Sequence, residues 1–424
     1  MHGLSLWSAT ANAHRERASL QGNKEADVVI VGAGYTGLST AYHASQLGLK
    51  VIVVEQNEAG WGASGRNAGM ILPGYKDYIK TLAAKHGLET AKDMFSLSLD
   101  AIALVKKMVS DNQIACDLAQ TGHLIAATKP KHMDSLREEQ EFLQKQFHYR
   151  TEMVTTEEMR RELDSPLFAH GGLVDEHSCS FHPLNYALGL ADATEALGGV
   201  IYERSRVIAI DRTPGKVIVR TAEGAVTAKE LVIATNGYTD DLVKKLTRSV
   251  YPIASYMVAT EPLAPDLAAQ LVPRNRMVFD TKNFIYYFRL TPDGRLVFGG
   301  KDQFTGEETA QTYEEVRDDL IKVFPQLKET RIDYKWGGLL GVTYDMLPYI
   351  GQLEDGTHFS IGCAGHGAAI TTMLGKIIAQ NIAGESRIKK GLETVPLKQI
   401  PFHGQRAFVL SVLEVYYKLL DIIA

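Results

Sequence analysis

The chain is poor in cysteine: Cys116, Cys179 and Cys363 are all it has, far apart and without a C-x-x-C pair. That excludes a disulfide scaffold and the usual zinc-finger spacing. It has no excess of positive charge either, since 45 Lys and Arg stand against 50 Asp and Glu for a net charge of -5. No footprint for nucleic acid follows, and none is expected as a partner. No apolar run approaches the roughly 18 residues of a membrane span. The N-terminal stretch holds Arg15, Glu16, Arg17, Lys24 and Glu25 and no apolar core. A signal peptide is therefore not expected, and a cytoplasmic location is. Internal repeats and low-complexity linkers are also missing. What remains is 424 residues, 45% apolar and 22% charged, the composition of a globular protein of roughly two or three domains.

The clearest signal lies in Asp27–Glu55. Val28–Val31 is a continuous β-branched run, the pattern of a strand buried on both faces. Gly32-Ala33-Gly34-Tyr35-Thr36-Gly37 follows at once, Leu38–Leu47 reads as a helix closed by Gly48, and Lys50–Glu55 is a second buried strand. This is a βαβ unit of about 30 residues. In it, Gly32 permits the tight turn, Gly34 lets the backbone approach a pyrophosphate, and Gly37 lets helix and strand pack closely. The helix N-terminus offers unpaired N–H groups to phosphates, and Glu55 can accept from a ribose hydroxyl. A dinucleotide is implied; this motif alone leaves NAD and FAD open.

A second cluster, Gly60-Trp61-Gly62-Ala63-Ser64-Gly65-Arg66-Asn67-Ala68-Gly69, begins five residues after Glu55. A nicotinamide dehydrogenase would continue there with another helix and strand. A loop of small residues instead suits a backbone wrapping a longer cofactor, with Arg66, Ser64 and Asn67 as donors. The third cluster, Gly362-Cys363-Ala364-Gly365-His366-Gly367, follows the strand His358–Ile361 and precedes the helix Ala368–Ala383. A helix end there aims positive potential at a group that becomes anionic. Two such helix ends in one chain match FAD better than NAD.

The coarse pattern is α/β with an α+β substrate domain: a Rossmann-like FAD-binding domain interleaved with a mixed-sheet substrate domain. The three cofactor clusters must converge on one ligand. The FAD domain is therefore expected to combine 1–90, 180–250 and 337–424 with a C-terminal helix, and the substrate domain 91–179 and 251–336. The stretch Phe408–Ile423 is apolar along one side (Phe408, Val412, Tyr416, Leu419, Leu420, Ile423), a face expected to dock on its own domain, on a membrane or on a partner subunit.

Together these residues resemble the FAD-dependent amine and amino-acid oxidase family, the D-amino acid oxidase-like or glutathione-reductase-2 flavoproteins, and within it the gamma-glutamylputrescine oxidoreductase-like branch. The resemblance spans nearly the whole chain. It rests on Gly34–Ser39, on 60–67, on Ala-Thr-Asn-Gly-Tyr-Thr at 234–239 and on Ala-Gly-His-Gly at 364–367. Trp336-Gly337-Gly338 with Thr343, Asp345 and Pro348 completes it. It implies that Val207 presents its backbone to the adenine and that Ala234, Thr235, Asn236 and Gly237 pass beside the phosphates. The expected cofactor contacts also take in Gln56, Met70, Gly338, Gly365, His366, Gly367 and Ala368. Arg66 stands where some relatives carry a flavin-linked histidine, and no cysteine precedes 337–348 where others carry theirs, so FAD is expected to be non-covalent.

Flavin amine oxidation needs a neutral amine with its C–H beside the flavin and a wall that excludes water; no acid–base pair is demanded. Alternation along Tyr286-Tyr287-Phe288-Arg289 puts Tyr287 and Arg289 on one face. Tyr287 is expected in the pocket, Arg289 gripping a substrate carboxylate, His366 beside the ring and Trp336 on the wall, each set against a plainly structural role. Lys301 follows Gly299-Gly300 but sits about four positions later than the oxygen-activating lysine of sarcosine-oxidase-like relatives. The expected activity is oxidation of an amine or amino acid to an imine, with oxygen as acceptor. The alternatives are a dehydrogenase serving a quinone or carrier protein, and an auxiliary flavin-binding subunit. His177, Cys179, His182 and Asp175 lack a second ligand pair at fixed spacing, so no metal site is expected.

Overall fold

The computed structural model describes residues 4–303, 308–385 and 390–423. Val28–Val31 and Val51–Val54 are buried at every position, as β-branched runs are when both faces of a parallel sheet are covered. They form the centre of a six-stranded sheet ordered 349–352, 358–361, 230–233, 28–31, 51–54, 200–202. The first pair is antiparallel and the rest parallel. Helices Tyr35–Gln46, Pro183–Ala196 and Ile370–Ile382 pack together beside it. Gly375 permits the closest crossing, because a Cβ there would stand 2.7 Å from that of Ser39. A four-stranded sheet (22–25, 224–228, 216–220, 209–213) joins the same core through Val217, Val219 and Val226.

The second large sheet has eight strands, ordered 332–342, 251–260, 296–303, 287–290, 277–280, 123–126, 172–175, 152–154. It is antiparallel except where 277–280 meets 123–126. Tyr256, Val258, Phe288 and Phe298 on one face pack against Val316, Leu320 and Val323 of helix Ala310–Val323. Strand alternation turns Ile253, Ser255, Met257, Phe279 and Tyr287 the other way, and these line a large cavity between the two sheets. This α/β architecture with a mixed second sheet is the fold class expected from the sequence.

Three of the expected segment edges fall inside a continuous element. Strand Ile332–Val342 runs through 336/337: it pairs with Tyr251–Thr260 along its whole length, from Tyr251 opposite Val342 to Thr260 opposite Ile332. The paired glycines serve packing there, a Cβ on Gly337 standing 2.8 Å from the Tyr256 ring. Helix Leu88–Asp111 spans 90/91, and its Ala91, Met94 and Phe95 are buried in the core of the six-stranded sheet. The edge at 179/180 splits the short strand Cys179–Ser180, paired with Met70–Ile71. Of the three expected dockings of the stripe on the C-terminal helix Arg406–Ile423, that on its own domain is not seen among the described residues. Phe408, Val412, Tyr416 and Leu419 of the expected docking stripe are exposed, and Leu410 is buried instead; the Ile423 side chain lies outside the described residues.

Candidate active site

The cavity, about 1310 Å³, is continuous from the first glycine loop to the eight-stranded sheet. Its first wall is the βαβ turn. Gly32, at φ +104°, has the Ala234 carbonyl oxygen 2.8 Å from where a Cβ would be, and a Cβ on Gly34 would stand 2.9 Å from Ser64 Oγ. Gly37 packs on the Gly32 carbonyl oxygen and is buried, so it supports the turn from behind. Glu55 directly follows strand Val51–Val54 at the cavity, with its carboxylate held by the Ala33 and Asn57 N–H groups, at 2.8 and 2.9 Å. Burial raises its pKa, against those hydrogen bonds. Gln56 and Val207 line the same end.

The second loop is folded on itself. Tyr35 N–H donates to Ser64 Oγ at 2.9 Å, tying loop to helix. Asn67 spends its amide on the Ala63 and Ser64 carbonyls and accepts from Gly69 N–H, so it shapes the loop. Arg66 lies 4.8 Å over Trp61 and donates to the Trp61 carbonyl at 2.7 Å. Gly62, Ala63, Ser64, Arg66, Asn67, Ala68 and Met70 line the cavity, and Gly69 sits behind them against the Phe181 carbonyl. Across from them Asn236, at φ +44°, accepts from Gly362 N–H at 2.7 Å, joining the 234–237 turn to the third cluster. Ala234, Thr235 and Asn236 face the cavity, whereas Gly237 is packed against the Leu339 carbonyl.

At the far end Gly365, His366, Gly367 and Ala368 lead into helix Ile370–Ile382. His366 Nε2 meets the Pro73 carbonyl at 3.1 Å. A carbonyl only accepts, so that nitrogen carries the proton. Burial lowers the imidazole pKa to about 4, leaving a neutral ring. Opposite stand Tyr287, whose hydroxyl lies 2.9 Å from Ser255 Oγ, and His123, stacked on Phe279 at 5.3 Å. Gly338 closes the side nearest Arg66, and Leu340 lies beside Gly365. Ser255, Phe279 and His123 escaped the sequence reading; strand alternation through Ile253–Thr260 was the signal that pointed to the first.

Two expected pocket residues are corrected. Arg289 is 3% exposed and does not reach the cavity wall. Its guanidinium donates to the carbonyls of Ala68 (2.7 Å), Phe181 (2.7 Å) and Leu290 (3.1 Å) and lies 5.2 Å over Trp7. Burial brings its pKa down to about 10, so it stays charged at neutral pH. Trp336 is fully buried beside Trp7 and donates to the Arg66 carbonyl at 2.9 Å. Both brace the 60–69 loop through the Ala68 and Arg66 carbonyls. The Lys301 side chain lies outside the described residues. His182 caps helix Pro183–Ala196, accepting from Asn185 N–H at 3.1 Å, and Asp175 accepts from the Tyr149 hydroxyl and His177 N–H, both at 2.6 Å.

These residues fit FAD. The glycine turn has no room for side chains where a pyrophosphate would pass, the Glu55 carboxylate stands ready for a ribose, and one cavity joins both to the third cluster. Residues 27–381 match the family described as FAD dependent oxidoreductase. Gamma-glutamylputrescine oxidoreductase of Escherichia coli (strain K12) is 34% identical over 99% of this chain and 98% of its own length. The probable oxidoreductase OrdL of Haemophilus influenzae is 33% identical over 99% and 97%. Among solved structures, glycine oxidase from Geobacillus kaustophilus superposes with a TM-score of 0.74 at 21% identity, over 89% of this chain and 99% of that one. The chain belongs to the DAO family and is an FAD-dependent oxidoreductase.

Proposed function

We propose that the chain oxidises the C–N bond of an amine to an imine and passes the electrons to oxygen, giving hydrogen peroxide. FAD bound in the cavity supplies the hydride acceptor. The observation that carries the choice of an amine over an α-amino acid is Arg289: its three donor nitrogens are spent on main-chain carbonyls. It is not left to hold a carboxylate beside the reacting carbon. The wall there is Tyr287, Met257, Ile253, Phe279 and Leu340, which keeps water off a neutral amine and orients its chain. Tyr287 and His366 are the residues we place against substrate and ring, and the FAD is held without a covalent bond. The name of the 34% identical relative, a glutamylated diamine oxidoreductase, favours an amine whose acidic group is far from the reacting nitrogen.

An anaerobic screen of alkylamines, diamines, γ-glutamylated amines and α-amino acids, read as flavin bleaching, tests this. Amines are expected to bleach the flavin and, in air, to yield peroxide. Bleaching by α-amino acids alone would overturn the substrate class. Reduction of dyes without peroxide would replace the oxygen acceptor with a quinone or carrier protein.

A further inference from the structure

The helix Arg406–Ile423 crosses one side of the cavity and is attached at two places. Near its start Leu410 is buried in a small apolar cluster with Tyr251, Ile253 and Ile400. Near its end the Asp421 carboxylate accepts three hydrogen bonds from the loop after strand Met277–Asp280. These come from Asn283 N–H and Nδ2, both 2.8 Å, and from Phe284 N–H, 3.0 Å. Lys129 Nζ donates to the Asp421 carbonyl at 2.8 Å. Between the two attachments Leu413 and Tyr417 line the cavity, as do Asn283 and Phe284. The spacing 410, 413, 417, 421 puts all four on one helical face. Phe408, Val412, Val415, Tyr416 and Leu419 are at least half exposed on the rest of the helix.

We infer that this helix is the roof of the substrate site: Leu413 and Tyr417 touch the substrate and set the bulk it can carry, and Asp421 is the positioning residue that latches the roof to the loop at 283–284. The inference rests on the amine-oxidising reading only for the identity of the occupant. A carboxylate bound by charge-assisted hydrogen bonds to exposed and half-buried loop donors is a strong but local attachment. Releasing it frees the C-terminal half of the helix while Leu410 keeps the other half seated. An apolar and aromatic roof suits a methylene chain passing under it, which selects linear amines over those branched near the nitrogen.

The test uses the FAD-loaded protein with Asp421→Ala, Asp421→Asn, Leu413→Ala and Tyr417→Ala. In Asp421→Ala, amide exchange across 411–421 should quicken by about tenfold or more, the signature of a segment opening by itself. Quenching of flavin fluorescence by iodide should rise with it. For an amine that bleaches the flavin, KM should rise about fivefold while the limiting rate of flavin reduction holds within about twofold, the pattern of lost binding with unchanged chemistry. Asp421→Asn keeps one acceptor oxygen and should fall between, which guards against a misfolded Asp421→Ala. Leu413→Ala and Tyr417→Ala should shift the preference between a linear and a branched amine about fivefold toward the branched one, with FAD content unchanged. Unchanged exchange and quenching in both Asp421 variants would overturn the latch, and unchanged preference in the other two would overturn the roof. If no amine bleaches the flavin, the amine reading fails, while exchange and quenching still decide the latch.

Discussion

Arg289 shows how far a residue's chemistry depends on where its neighbours' carbonyls fall. On the sequence alone it is the obvious anchor for a carboxylate; in the fold its guanidinium holds Ala68 and Phe181 in place. Arg289→Met is therefore expected to act on stability. Stranding buried carbonyls after losing charge-assisted donors costs about 3–5 kcal/mol, enough for a fall of about 3–6 °C in Tm in a chain of this length. Scanning fluorimetry of flavin release would record it, with KM for the true substrate little changed in the folded fraction. A rise in KM with unaltered Tm would return Arg289 to the pocket. Gly34→Val is expected to empty the protein of FAD, because its side chain would displace Ser64 Oγ, 2.9 Å from the Cβ position, and enter the pyrophosphate's path. The ratio of visible flavin absorbance to protein measures this, and a yellow variant would contradict it. Gly34 was legible from the motif, since a glycine needed for space announces itself by its spacing. Arg289 was not, since its partners belong to residues far from it in sequence.

Among elements, the strand carrying Tyr287 was readable because alternation is a local property of extended backbone. What the sequence did not show is that Gly299, its cross-strand partner, makes room for the ring: a Cβ there would overlap the Tyr287 side chain. Gly299→Ala should push that ring off Ser255 and lower kcat/KM by about tenfold with little change in FAD content. Activity like that of the unaltered protein would show that the ring position does not matter. The expected segment edge at 336/337 fell inside a strand because pairing partners, not side chains, set its length. Ile332–Val342 continues through two glycines because Tyr251–Thr260 lies beside it for the whole distance.

For the whole molecule, the cavity that fits FAD is lined by residues near 32, 64, 235 and 366, so FAD binding is expected to be coupled to folding. Added FAD should raise Tm in proportion to the logarithm of its concentration, about 4 kcal/mol at a thousandfold excess over Kd. Acid or heat should release intact FAD, and flavin retained in the denatured pellet would contradict the non-covalent reading. Buried histidines add a pH dependence. Burial lowers the pKa values of His43, His182 and His366 from 6.5 to about 4. Between those limits the unfolded chain binds more protons than the folded one. Stability should therefore be full above about pH 6.5 and fall as pH drops toward 4, by about 1.4 kcal/mol per pH unit for each histidine. Denaturant melts at pH 7, 6 and 5 would read the slope, and a flat profile would mean the rings protonate without unfolding.

By itself the sequence determined the dinucleotide cofactor, the fold class and the family, because these rest on short-range features: glycine spacing, β-branched runs, an acid at a strand end. Tertiary structure decided which side chains face the cavity. Whether Arg289, Trp336 or Tyr417 meets the cavity depends on how two sheets, an N-terminal turn and a C-terminal helix pack around one space. The hydrogen-bond partners that settle it lie up to 270 residues apart, as Trp336 and Arg66 do. Local pattern carries no record of such a distance, and packing does.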